Sequence, residues 1–109
     1  MVKPGSVVLI HLAGAVSSKA RPAVVVSSDV YHATRPDVVV GLLTTDVAAA
    51  TTPTDYALQD WAAAGLHKPT AFRTYFDTRL QTEIIREIGQ LSDRDWQEVQ
   101  ARVRVALGL

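Results

Sequence analysis

KARPAVVVSS, residues 19–28, is the stretch on which the reading of this chain turns. Pro22 holds Arg21 extended and suits a strand start, where a missing N–H is tolerated. The AVVVSS that follows is too short and too β-branched for an ordinary helix, which predicts a strand over residues 23–28. Upstream, Lys3-Pro4-Gly5 is a turn signal leading into SVVLIHL, a β-prone run over residues 6–12. Between the two runs, residues 13–21 (AGAVSSKAR) are small and polar, and read as a loop. Downstream, residues 31–37 form a polar connection containing Pro36, and VVVGLLTT, residues 38–45, gives a third strand. Three short strands at close spacing, with no helix expected between them, predict an antiparallel meander curling into a barrel.

Beyond the third strand, residues 48–54 (AAATTPT) read as a loop and residues 56–58 as a short strand. DWAAAGLHKP, residues 60–69, has room for one turn of helix before Gly65 and Pro69 limit it. Residues 70–76 alternate in β fashion, and residues 80–88 read as a short helical turn followed by a strand. The C-terminal helix is the plainest element. Ser92 is a good N-cap, and Asp95 three residues on makes a capping-box-like pair. Asp93 and Asp95 place negative charge at the positive end of the helix dipole. Trp96, Val99, Val103, Ala106 and Leu107 share one side, and Gly108 is a stop signal. No repeat or linker divides residues 1–109, so a single mainly β domain with a C-terminal α-helix is expected.

Composition narrows the function. Hydrophobic residues make up 48% of the 109 residues and charged residues 20%, enough for a packed core. Cysteine is absent, which favours a reducing, cytoplasmic setting. The apolar run near the N-terminus lacks a cleavage site and is too short to span a bilayer, so no membrane association is expected. Eleven basic and eleven acidic side chains cancel. Net charge therefore gives no argument for nucleic acid, although Asp29 is the only acid before Asp37, against Lys3, Lys19, Arg21 and Arg35. His11, His32 and His67 are scattered, so neither a metal nor a cofactor is expected. Phosphate-cradling glycine loops and nucleophile elbows are missing too.

What remains is polar residues at strand ends. Arg21 precedes the second strand and Thr44 and Thr45 close the third. A guanidinium can grip a phosphate through two N–H groups and stabilise charge developing on phosphorus, and a threonine hydroxyl can donate to the same oxygens. On these residues alone the simpler account is a solvated loop arginine and threonines present as β-formers. Trp61 and Trp96 read as core anchors, His11 as a structural histidine, and Asp77 with Arg79 as a surface pair.

The order of motifs adds to this. Lys3-Pro4-Gly5 before VVLI, then KARPA at residues 19–23 before VVVSS, resembles the opening of the MazF/PemK toxins. GLLTT at residues 41–45 is similar to their third strand. Tyr56-Ala57-Leu58, Asp60-Trp61, Ala64-Gly65-Leu66 and Lys68-Pro69-Thr70 resemble a stretch common in PemK-like members, and IGQLS at residues 88–92 resembles the lead into their last helix. The resemblance implies an SH3-like β-barrel of the CcdB/PemK kind, usually a homodimer. It implies a metal-independent, sequence-specific endoribonuclease of a type II toxin–antitoxin system, acting on single-stranded RNA and restrained by a cognate antitoxin. It places the catalytic arginine at Arg21 and the catalytic threonine at Thr44, with Thr45 where a serine often stands. Ser18, Lys19 and Thr45 then fall where RNA contacts are expected. Two departures stand out. Ser6 replaces an acidic residue found in many members, and the loop over residues 13–20 lacks their Gly-x-Glu, which leaves the general base unassigned. Two other functions fit the same barrel: a gyrase poison working through the C-terminal helix, and a catalytically silent barrel that binds a partner protein.

Overall fold

The computed structural model describes residues 2–11 and 19–109. Six strands form one antiparallel sheet: β1 (Ser6–His11), β2 (Ala20–Val25), β3 (Asp37–Thr44), β4 (Tyr56–Ala57), β5 (Ala71–Leu80) and β6 (Arg86–Gln90), in the order β4-β5-β3-β2-β1-β6. The first three strands make the expected meander. β5 then pairs with β3, and β6 returns to the far side of β1, so β4 and β6 are the edges of a curled half-barrel.

The runs VVLI and AVVV show no polar alternation because both faces of these strands are covered. One face gives Val7, Val24, Leu43 and Phe72 to a core closed by Tyr56, Leu58, Leu91 and Val99. The other gives Val8, Ile10, Ala23, Val25, Val38 and Val40, with Val2, Leu42 and Ile84 packed against them. Trp61 and Trp96 pack half-buried on the first cluster, as core anchors should. Ser6, where an acid was noted as usual, is fully buried and tied to Lys3 N (3.0 Å) and Gln90 Oε1 (3.4 Å), a folding role.

The helix α2 (Asp93–Leu107) forms as its sequence predicts. Ser92 Oγ accepts from Asp95 N at 3.3 Å, and Gly108 ends the helix in the left-handed region at φ 72°. Asp95 does more than cap. Its fully buried carboxylate accepts from the Tyr56 hydroxyl (2.6 Å), Gln59 N (3.0 Å) and Asp60 N (2.8 Å), fixing the helix to the β4 region. Burial and that bond to Asp95 push the Tyr56 hydroxyl up to about 12. Val99, Trp96 and Val103 carry the buried side, while Ala106 and Leu107 at its far end are exposed.

Two expectations need correction. A helix does lie between the second and third strands: α1 (Asp29–Thr34), where only a polar connection was expected. Ser28 caps it through Tyr31 N (3.2 Å), and buried His32 shares a 2.6 Å hydrogen bond with Ser27 Oγ, so tertiary contact secures a helix too short to be marked by periodicity. Around residues 60–69 the chain makes the single turn the sequence allows, with Ala64 N bonded to Asp60 O at 3.2 Å. His11 is exposed at the end of β1, and the buried structural histidine is His32. The reading of residues 80–88 holds: a 3-10 turn at Gln81–Glu83 precedes β6. Asp77 and Arg79 pair at 3.0 Å.

Candidate functional site

Arg21 and Thr44 lie far apart in the chain, and the β2–β3 register brings them together. Val25 pairs with Val40, Val24 with Gly41 and Ala23 with Leu42. The paired ladder ends at Ala23, next to Pro22, whose nitrogen has no proton to give it. Beyond that last pair β2 runs back to Arg21 and β3 runs on to Thr44. Both side chains line an open groove of about 490 Å³, together with Thr45.

The hydroxyls have distinct surroundings. Thr44 Oγ1 accepts from Asp46 N at 3.1 Å. Its oxygen is thereby held, and its own proton is left to donate. Thr45 is exposed at the lip of the groove. Arg21 is exposed as well, so its guanidinium is solvated and open to a ligand. Of the other residues expected to contact RNA, Lys19 is exposed just before β2 and is not among the groove's lining residues, and Ser18 lies outside the described residues.

The opposite wall was not anticipated. Between the pairs Gly41–Phe76 and Leu43–Phe72, β3 advances two positions while β5 advances four. The surplus bulges β5 outward, and bulges commonly re-aim side chains at functional sites. Here the bulged residues Arg73, Thr74 and Tyr75 line the groove. At Gly41 a Cβ would come within 2.4 Å of the Phe72 ring, so the ring settles over bare backbone at the foot of the bulge. Arg73 Nε faces Asp55 Oδ1 at 3.6 Å. That carboxylate is 3% exposed and also accepts from Thr52 N at 3.1 Å, so it is fixed before Arg73 reaches it. Thr54 and Thr74 are joined by a 2.8 Å hydroxyl bond that ties the β4 approach to the bulge. Tyr75 is 65% exposed, an aromatic face available for stacking.

Two guanidiniums, one anchored on a buried acid, face an oriented hydroxyl and an exposed aromatic ring. Such a set suits a phosphodiester carrying an unstacked base. Sequence could not mark Arg73 or Asp55, because a bulge is a property of strand pairing. Among the described residues, no three His, Asp or Glu side chains cluster as metal ligands do, and no helix is long and apolar enough to cross a membrane.

Comparison with known proteins identifies the family and the fold. Residues 3–107 match the profile of a family described as PemK-like, MazF-like toxin of type II toxin–antitoxin system. No curated protein sequence matches the chain. Among solved structures, it is similar to an endoribonuclease in complex with its cognate antitoxin from a mycobacterial species, at TM-score 0.84 and 23% identity, covering 100% of this chain and 97% of the other. It is similar to the Mycobacterium tuberculosis toxin MazF-mt6, at TM-score 0.76 and 22% identity, covering 95% and 97%. MazF in a MazE–MazF crystal structure from Deinococcus radiodurans gives TM-score 0.75 at 16% identity, covering 99% and 96%. At these identities the structural likeness establishes a shared fold.

Proposed function

The chain belongs to the PemK-like, MazF-like toxins of type II toxin–antitoxin systems, and on that premise we propose that it is an endoribonuclease that cuts single-stranded RNA at the groove between Arg21 and Thr44. The observation that carries this is the meeting of Arg21, Thr44 and Arg73 around one open groove. The substrate supplies the nucleophile. Its ribose 2′-hydroxyl attacks the adjacent phosphorus, an O2′–P bond forms, and the P–O5′ bond breaks. The products are a cyclic 2′,3′-phosphate and a free 5′-hydroxyl.

The side chains act on charge and position. Arg21 donates to the non-bridging oxygens as negative charge grows on them and gives a proton to the departing 5′ oxygen; the 2′ proton passes to water in the groove, from which Arg21 takes its own proton back. Thr44, its oxygen held by Asp46 N, donates its proton to the same phosphate. Arg73, steadied by Asp55, offers a second guanidinium from the opposite wall. Tyr75 stacks on a neighbouring base. By analogy with the mycobacterial endoribonuclease bound to its antitoxin, a cognate antitoxin is the expected partner; the homodimer usual in the family is the expected form.

Cleavage of mixed-sequence RNA in EDTA, by wild type and by Arg21→Ala, tests this. The expected result is cutting that survives chelation and is lost with Arg21. Cutting that persists in Arg21→Ala means the site lies elsewhere. A folded, antitoxin-free protein that cuts no RNA means this barrel acts by binding.

A further inference from the structure

A second groove, of about 290 Å³, adjoins the first and shares Pro22 and Thr45 with it. Its floor is apolar, from Leu9, Leu66 and Ile88, and its rim carries Lys68 and Arg86. No carboxylate is among its described lining residues. Among the described residues neither Lys68 nor Arg86 joins an ion pair, and both are exposed.

The walls are set by backbone. Arg86 pairs with Leu9 across β1 and β6, which places it at the sheet edge. Gly65, at φ 87°, lies so close to β6 that a Cβ there would sit 2.2 Å from Ile88 O. In return, a Cβ on Gly89 would meet Ala64 O at 2.0 Å. Two bare backbones therefore touch, and the turn carrying Leu66 is seated on β6. The Thr70 hydroxyl donates to the Lys68 carbonyl at 2.8 Å, which fixes the chain where that lysine leaves it.

We propose that this second groove holds the nucleotide next to the scissile one. Its base lies against Leu66 and Ile88, and its phosphate lies between Lys68 and Arg86. The inference rests on the reading of the first groove as an RNA-cleaving site, since a strand leaving Arg21 and Thr44 past Thr45 enters this groove directly. Charge favours a phosphodiester here: two unpaired cations without a competing acid attract an anion, and the apolar floor takes a base through its face.

The test compares wild type, Lys68→Ala/Arg86→Gln and the remote control Arg104→Gln. Each is titrated with a short, fluorescent, 2′-O-methylated single-stranded RNA that cannot be cut. Both substituted rim positions are exposed, so folding is retained, and matching melting curves check it. The double variant is expected to bind about tenfold more weakly, with a salt slope shallower by roughly 0.7, the value for one single-strand phosphate contact. Arg104→Gln is expected to bind as wild type does. A double variant with unchanged affinity and slope, in a protein whose wild type does cut RNA, overturns the second groove and leaves the first standing. A wild type that cuts no RNA overturns both. An acidic peptide whose binding depends on Lys68 and Arg86, with RNA binding unaffected, reassigns the groove to a protein partner and also overturns the proposal.

Discussion

Thr44 Oγ1 accepts the N–H of Asp46 at 3.1 Å, which holds the hydroxyl in place and leaves its proton free to donate to a substrate oxygen. A hydrogen bond to a charged group contributes about 1.5–3 kcal/mol, and if it is strongest in the transition state the loss appears in kcat. Thr44→Val keeps the branched shape that β3 accommodates and removes the hydroxyl, leaving the exposed Asp46 N–H to water. Turnover is expected to fall roughly ten- to hundredfold with little change in thermal midpoint, checked by single-turnover cleavage beside a melting curve. Unchanged turnover would reduce Thr44 to a β-former, the simpler account its sequence allows. Arg21 and Thr44 were readable because each closes or opens an apolar run. Arg73 and Asp55 were not: nothing in FRTYF announces that β5 spends four positions where β3 spends two.

At the scale of elements, α2 and the turn before it are joined by charge. Asp60 accepts two bonds from Arg94, each 2.7 Å, and one from Ser92 Oγ at 2.5 Å. The Arg94 guanidinium first, then the Ser92 hydroxyl, hold its carboxyl down to about 2. An unfolded aspartate titrates near 3.9. The folded carboxyl lies below that, so the contribution is fully present above about pH 4 and is lost as pH falls toward 2. Asp60→Asn is expected to lower the urea midpoint at pH 5–7, with the two proteins converging toward pH 2; a gap that stays constant across that range would show that Asp60 acts through packing instead. The helix itself was plain in the sequence because its cap, its acidic first turn and its apolar side are local features. The reach of Asp95 to Tyr56 spans 39 residues, and α1 depends on a histidine buried against Ser27. Neither leaves a local pattern, which is why one role was missed and the other element read as a connection.

For the molecule as a whole, a formal net charge of zero hides a basic track. Among the described residues, the two adjoining grooves carry Arg21, Arg73, Lys68 and Arg86 against a single carboxylate, Asp55, already engaged by Arg73. Sequence order could not reveal this, since Lys68 shares a groove with Arg86 only because its turn is seated on β6, and that groove adjoins the one of Arg21 only at Pro22 and Thr45. If the two cations of each groove share one phosphate, the logarithm of the binding constant falls with the logarithm of salt at a slope of about −1.4, at about 0.7 per single-strand contact. A sequence-wide charge balance would give almost no slope. Titration of uncut single-stranded RNA over a salt series is expected to give that slope in wild type and a shallower one in Arg21→Ala. Lys19→Ala, altered at an exposed position not among the lining residues of either groove, is expected to change the slope less than Arg21→Ala does. A flat salt response would mean that affinity comes from base contacts alone. A larger effect from Lys19 than from Arg21 would move the phosphate track out of the groove toward the start of β2.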